Sequence, residues 1–114
     1  MVSATIDLPE LAVGETMTIE VAGRNILLCR SHLGVHATAT LCPHQAKLLE
    51  GGRIRGQSIM CPHHGARFDL VTGKSLSPQL TPQPLPLFSC IEQDGQLVVD
   101  IERQPMRGAT GQLP

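Results

Sequence analysis

The pattern of hydrophobic and polar positions along the chain predicts short β-strands and no long helix. The segment TMTIEV, Thr16 to Val21, alternates and is rich in β-branched residues; ILLCR (Ile26 to Arg30) and VHATAT (Val35 to Thr40) follow after Gly-containing turns. Further on, LFSCIE and LVVDI flank QDGQ, whose Asp94-Gly95 pair is a strong hairpin signal. No segment keeps the i, i+3, i+4 spacing of an amphipathic helix, so the sequence predicts an all-β protein.

Between these two strand-forming regions lies a segment of different character, about residues 41–86. The stretches GGRIRGQSIM and ARFDLVTGK each predict a short strand with a glycine turn. Four of the nine prolines fall between Pro78 and Pro86, which favours an extended path over the surface without sheet hydrogen bonds. We therefore expect a single domain over residues 1–103, with an insert at about 41–86, and a flexible tail over residues 104–114.

Composition narrows the classes of function. The 114 residues carry a net charge of −1 with no run of like charge, and aromatic residues make up 2% of the chain. These values argue against nucleic acid and against an anionic membrane as the main partner. The N-terminal residues resemble no secretory signal, and no apolar stretch approaches membrane-spanning length. We expect a soluble, cytoplasmic protein.

The four cysteines fall into two classes. Cys29 and Cys90 lie in apolar, strand-like runs, where a cysteine commonly acts as a small buried hydrophobic residue. Cys42 and Cys61 are each followed by a proline and then by histidine, in CPHQA and CPHHG. Since cytoplasmic cysteines rarely form disulfides, the second pair is better explained as part of a metal site.

The two Cys-Pro-His stretches together offer thiolates and imidazoles. Cys42 and His44 are separated from Cys61 by sixteen residues after the histidine, and Cys61 is followed by His63 and His64. Structural zinc sites usually take two cysteines from one loop and two histidines from the other. Here each loop offers one cysteine and at least one histidine. This mixed arrangement suits a two-iron centre in which two thiolates bind one iron and two imidazoles bind the other.

The pattern C-x-H, sixteen residues, C-x2-H, followed by GARFDLVTGK and a later SP, resembles that of Rieske-type ferredoxins. The likeness runs from about Thr16 to Ile101, and the chain looks like the small electron carriers that serve bacterial ring-hydroxylating oxygenases. It implies an antiparallel β-sandwich or barrel base with a smaller cluster-binding subdomain of two loops. It also implies one [2Fe–2S] cluster held by these four residues: Cys42 and Cys61 on the inner iron, His44 and His64 on the outer iron.

The second histidine ligand has two candidates. The family motif places it at His64, whereas the symmetry of the two loops favours His63, because Cys61-Pro62-His63 mirrors Cys42-Pro43-His44. We take His64 as the ligand and His63 as an exposed neighbour. His32, in a turn, and His36, on a strand, are expected to be ordinary surface or packing residues.

Departures from the family concern the reduction potential and one loop. High-potential Rieske proteins carry an extra cysteine in each loop, and these two cysteines form a disulfide that joins the loops. This chain has Lys47 and His63 at the equivalent positions. The same proteins carry a Ser and a Tyr whose hydroxyls donate to sulfur, where this chain has Ala66 and Phe68. Without those donors we expect a potential at the low end of the Rieske range, on the order of −150 mV. Ala46 replaces a common glycine, and alanine is tolerated at this place only where the local backbone keeps a negative φ.

The leading functional hypothesis is a one-electron carrier between a flavin-containing reductase and a terminal oxygenase, without enzymatic activity of its own. No G-x-G-x-x-G follows a strand, and no separate two-histidine, one-carboxylate iron site is evident. A small Rieske-like subunit of a multisubunit reductase, such as a nitrite reductase, is the alternative. A zinc-stabilised binding module is a more remote one.

Overall fold

The computed structural model describes residues 3–43, 46–63 and 65–100, and in these ranges the chain forms ten β-strands and no helix. The strands form three antiparallel sheets, with the orders β1-β10-β9, β2-β3-β4-β8 and β5-β6-β7. The all-β prediction is confirmed. The strands are β1 Ser3–Asp7, β2 Thr16–Val21, β3 Arg24–Ser31, β4 Gly34–Thr38, β5 Arg53–Arg55, β6 Ser58–Met60, β7 Arg67–Asp69, β8 Leu87–Phe88, β9 Cys90–Gln93 and β10 Gln96–Asp100.

Strand β3 lies in the middle of the protein and is buried on both of its faces. Ile26 and Leu28 pack with residues of the first sheet, including Leu97 and Val99, and so form the core of a two-sheet base. Leu27 and Cys29 point the other way. Because successive side chains of a strand alternate between its faces, the continuous apolar run ILLC supplies two separate cores at once.

The second core lies between the middle sheet and the small third sheet. It contains the two cysteines of the Cys-Pro-His stretches and large side chains that are fully buried. Its buried members are Leu27, Cys29, Cys42, Leu49, Ile59, Cys61, Ala66, Phe68, Leu70 and Leu85. The insert predicted around residues 41–86 therefore supplies most of a core of its own, stacked on the base.

The predicted hairpins form, with backbone conformations that explain their sequences. Ala22 and Gly23 join β2 to β3 with φ of 52° and 79°, and Asp94 and Gly95 join β9 to β10 with φ of 54° and 76°. Positive φ at both central residues defines the type I′ turn, whose twist matches that of paired strands. The hairpin predicted at Asp94-Gly95 is therefore confirmed.

Three details differ from the sequence predictions. The run LFSCIE is divided at Ser89, because β8 pairs with β4 in the middle sheet whereas β9 pairs with β10 in the first sheet. GGRIRGQSIM contains two strands, β5 and β6, rather than one. Strand β1, which pairs with β10, has no counterpart among the predicted strands. Short strands that change sheets carry no periodicity of their own, so local patterns could not separate them.

The proline-rich segment is extended only in part: residues 78–80 form a turn in which the Leu80 and Thr81 N–H groups donate to the Ser77 carbonyl (2.9 and 3.0 Å), and residues 81–86 follow without regular structure. The Leu85 N–H donates to the Gly73 carbonyl (2.7 Å), and the Leu85 side chain is fully buried in the second core. Pro86 accepts a hydrogen bond from the Ala39 N–H (3.0 Å). The segment thus closes one side of the second core and returns the chain to the middle sheet at β8.

Candidate metal centre

The first Cys-Pro-His stretch forms a tight loop, residues 42–47, that we call loop one. A β-bridge between Leu41 and Leu48 closes its ends. The Cys42 N–H donates to the Lys47 carbonyl (2.7 Å), and the Ala46 N–H donates to the Cys42 carbonyl (2.8 Å). Cys42 is buried. The backbone therefore holds this cysteine at the edge of the second core.

The second stretch, residues 61–66 (loop two), connects β6 to β7 and repeats the same hydrogen bonds. The Cys61 N–H donates to the Ala66 carbonyl (2.7 Å), and the Gly65 N–H donates to the Cys61 carbonyl (3.1 Å). Cys61 is also buried. The first, fifth and sixth residues of the two loops thus make equivalent backbone hydrogen bonds, and each loop presents its cysteine to the same core.

Ala46 occupies the left-handed region, with φ of 54°, so the negative φ that would accommodate alanine without strain is not adopted. The equivalent Gly65 has φ of 78°. The turn that lets the fifth residue of each loop donate back to the cysteine carbonyl requires this conformation. Glycine adopts it without strain, whereas a residue with a Cβ is destabilised by about 1 kcal/mol. Loop one therefore carries backbone strain that loop two avoids.

A glycine brings the two loops together. Gly52, which follows loop one, packs against the strand that leads into loop two: a Cβ at this position would lie 2.7 Å from the Met60 carbonyl oxygen and 3.0 Å from the Leu49 carbonyl oxygen. No side chain fits at these distances. The chain after loop one is also tied to the base, since the Gly51 N–H donates to the Thr16 hydroxyl (2.7 Å) and the Thr18 hydroxyl donates to Glu50 (2.9 Å).

Two of the four predicted ligands, His44 and His64, lie outside the described residues. Of the predicted set the structure places Cys42 and Cys61, and it shows His63 as exposed. Within ranges 3–43, 46–63 and 65–100, no three histidine, cysteine or carboxylate groups are close enough to hold a metal ion. By sequence position within the loops His63 corresponds to His44, and the choice between His63 and His64 stays a prediction.

Ala66 and Phe68, which replace hydroxyl-bearing residues of high-potential relatives, are both fully buried. Ala66 ends loop two, and Phe68 lies on β7, where it pairs with Ile59. Neither side chain can donate a hydrogen bond. Their surroundings are apolar, as expected for the second core.

Cys29 and Cys90 do not belong to the loops. Burial raises the pKa of Cys29 to about 12, with a smaller contribution from Cys90. Burial likewise raises the pKa of Cys90 to about 11, and its thiol donates to the Val35 carbonyl (3.4 Å). Because the thiolate is the metal-binding and nucleophilic form, both side chains are poor ligands at neutral pH.

His36 joins the base to the second layer. One ring nitrogen lies 2.7 Å from the Ser31 hydroxyl. Burial lowers its pKa, while the negative charges of Asp69 and Glu92 and a hydrogen bond with the Leu70 backbone act in the opposite direction. A neutral, half-buried imidazole with these partners is a packing residue. His32 lies in the turn between β3 and β4.

Sequence reasoning missed two features near the loops. Gly52 was treated only as part of a turn, although the pair Gly51-Gly52 after a predicted loop signals a close backbone approach. A shallow groove of about 330 Å³ beside loop one was also missed; one wall comes from loop one and the other from the proline-rich segment. Its lining includes Cys42, Pro43, Pro84 and Pro86.

No helix among the described residues has the length and apolarity to cross a membrane.

The donor set fits an iron–sulfur centre: two buried cysteines held by equivalent loops, each followed in sequence by histidine.

Comparison with known proteins gives a consistent result. Residues 2–98 match the model of the Rieske [2Fe-2S] domain. The ferredoxin component of the naphthalene 1,2-dioxygenase/salicylate 5-hydroxylase systems of Ralstonia sp. is 39% identical over 75 residues, which cover 66% of this chain and 69% of that protein.

Solved structures agree. The ferredoxin of carbazole 1,9a-dioxygenase from Nocardioides aromaticivorans superposes with a TM-score of 0.77 at 23% identity, over 90% of this chain and 100% of that chain. A complex of reduced oxygenase and oxidized ferredoxin in carbazole 1,9a-dioxygenase contains a match with a TM-score of 0.73 at 25% identity, over 85% of this chain and 91% of that chain. The family match, the paired loops and their buried cysteines lead to one conclusion: the chain belongs to the Rieske [2Fe–2S] domain family.

Proposed function

We propose that this protein is a soluble, cytoplasmic one-electron carrier that passes electrons from a flavin-containing reductase to a terminal oxygenase. The observation that carries the proposal is the pair of equivalent loops, each with a buried cysteine, in a chain that matches the Rieske domain over residues 2–98. In this proposal the chain is a single domain over residues 1–103, and the tail predicted at 104–114 lies outside the described residues.

The cluster ligands in this proposal are Cys42 and Cys61 on the inner iron, and His44 and His64 on the outer iron. When bound, a [2Fe–2S] cluster accepts and releases one electron. The chain itself supplies the burial and the positioning of the ligands. Burial of both cysteines in the second core keeps water from the thiolates, and the short hydrogen bonds within each loop fix their position.

The surroundings of loop two support a low reduction potential. Reduction adds negative charge, and hydrogen-bond donors directed at sulfur stabilise that charge. Ala66 and Phe68 are buried and supply no donor. The carrier therefore has a potential on the order of −150 mV, at the low end of the Rieske range.

The partners follow from the relatives. The Ralstonia protein is named as the ferredoxin component of dioxygenase and hydroxylase systems, and the carbazole dioxygenase complex pairs a ferredoxin with its oxygenase. By likeness to these proteins, the downstream enzyme is an aromatic-ring hydroxylating oxygenase, and the carrier serves aromatic hydrocarbon catabolism. The chain itself turns over no substrate. The alternative, a small subunit of a reductase such as nitrite reductase, has less support because the 39% identical relative is a ferredoxin component.

The visible absorption spectrum of the purified protein, before and after dithionite, tests the proposal. We expect red-brown protein whose bands bleach by one electron per chain and return on addition of an oxidant. Colourless protein from cells supplied with iron and sulfide would contradict the proposal and favour zinc. Stable co-purification with one large reductase subunit would favour the alternative.

A further inference from the structure

The third sheet has one buried and one exposed face, and the exposed face is rich in arginine. In its register Arg53 lies opposite Met60, Met60 lies opposite Arg67, and Arg55 lies opposite Ser58. Cross-strand partners project from the same face of a sheet. These five residues also line a common depression of about 200 Å³. We call this surface the arginine face. The opposite face is formed by Ile54, Ile59 and Phe68.

Among the described residues, this face carries three arginines and one carboxylate, that of Asp69, which lies opposite Ser58. Among those residues, no carboxylate lies within ion-pair distance of Arg53, Arg55 or Arg67, and the one side-chain hydrogen bond is from Arg67 Nη2 to the Ser58 hydroxyl (3.2 Å). Asp69 lies at the edge of the face away from loop two, and its carboxylate accepts hydrogen bonds from Gln57 and from the Val71 N–H, both at 2.7 Å, so the arginines keep a net positive charge next to loop two. A protein of net charge −1 thus gathers three of its nine basic residues on one small sheet.

The arginine face is continuous with loop two. Met60, at its centre, immediately precedes Cys61, and Arg67 immediately follows Ala66. A Cβ on Gly65 would lie 3.9 Å from the Met60 sulfur, so the Met60 side chain contacts the turn of the loop. A protein that approaches loop two to exchange an electron therefore meets these arginines.

We propose that the arginine face is a docking surface for the carboxylate-rich surface of an electron-transfer partner protein. The inference rests on the proposed carrier function and adds the chemistry of the partner. Guanidinium groups bind carboxylates through paired hydrogen bonds, and exposed charges of opposite sign accelerate encounter and fix orientation. Nucleic acid fits the face less well, because the chain is negative overall and has two aromatic residues, both phenylalanine.

Carboxymethyl-resin chromatography tests the surface independently of electron transfer. We expect the holoprotein to be retained at low salt near pH 7 despite its negative net charge. The variants Arg53→Gln and Arg67→Gln should elute at clearly lower salt. Lys74→Gln is the matched control: it removes the same charge from an exposed position after β7, at the end of that strand away from loop two. Equal shifts for all three variants, or no retention of the unmodified protein, would overturn the proposal.

A kinetic measurement then asks whether the face directs electron transfer. Dithionite-reduced protein is mixed with anionic hexacyanoferrate(III) or cationic hexaamminecobalt(III), each of which accepts one electron. We expect Arg53→Gln to slow the anionic oxidant about threefold at low ionic strength, with salt abolishing the difference, and to leave the cationic oxidant unslowed. Lys74→Gln should change neither rate by more than a small factor.

The outcomes separate the two hypotheses. Reversible bleaching with rates that do not depend on the arginines would keep the carrier and overturn the docking surface. Failure to bleach would overturn the carrier, while the resin still reports on the arginine face. Arginine-dependent binding to a short DNA oligonucleotide that persists at a salt concentration where the carboxylate resin no longer retains the protein would contradict a protein partner.

Discussion

Loop one and loop two have the same backbone hydrogen bonds but different surroundings. Loop one lies against the proline-rich segment and reaches its turn with Ala46 at positive φ. Loop two connects strands β6 and β7 of the third sheet, has Gly65 at the equivalent turn and borders the arginine face. The comparison shows that one local geometry can be produced by two quite different supports, and that the shared part, the cysteine and its backbone bonds, is what the proposed metal site requires.

Removal of a proposed ligand should have the largest effect on either loop. We expect His64→Ala to abolish the visible spectrum, because one iron loses an imidazole, and His63→Ala to retain it. Iron and acid-labile sulfide per chain, measured beside the spectrum, provide the check. The reverse result would transfer the ligand role to His63 and would make the two loops equivalent in their ligands as well as their backbone.

Disruption of the close contact at Gly52, which lies between the two loops, should have the next largest effect. Gly52→Ala places a methyl group against the Met60 and Leu49 carbonyl oxygens, and we expect a loss of about 1–3 kcal/mol in the free energy of unfolding, with lower cluster content. Urea unfolding gives the value. Gly51→Ala is the control: its Cβ would meet no atom within 4 Å, so only the positive φ of 87° acts against it. Equal losses for the two variants would contradict the role of close packing.

A hydroxyl near loop two should raise the reduction potential. In Ala66→Ser the new donor stabilises the reduced state by about 1 kcal/mol, and we expect a rise of roughly 50 mV, since a tenfold change for one electron is about 59 mV. Protein-film voltammetry measures the shift, and Phe68→Tyr should act in the same direction. A midpoint of the unmodified protein well above zero would contradict the expected low potential.

The difference in turn residues predicts small effects of opposite sign. Ala46→Gly should stabilise the protein by up to about 1 kcal/mol, because it relieves the strain of a positive φ. Gly65→Ala should destabilise it by about the same amount. The new Cβ would make only an ordinary contact with Met60, so the cost comes from the positive φ alone. Thermal unfolding of both holoproteins shows the sign. Stabilisation by both changes would mean that the turns are not equivalent.

Sequence patterns predicted the base well where strands are regular. TMTIEV became β2 without change, and Asp94-Gly95 formed its hairpin. The predictions failed where tertiary contacts decide: the break at Ser89 follows from pairing in two sheets, and Gly52 is needed only because Met60 lies beside it. The motif identified both loop cysteines, but the positive φ of Ala46 depends on a hydrogen-bonded turn that residue type alone disfavours.

The central claim is that one histidine from each loop binds the same centre as Cys42 and Cys61. It is tested most directly by pulsed electron paramagnetic resonance on dithionite-reduced protein carrying ¹⁵N-labelled histidine. We predict hyperfine couplings to two ¹⁵N nuclei, both unchanged in His63→Ala. A paramagnetic cluster without strongly coupled histidine nitrogen would contradict the account.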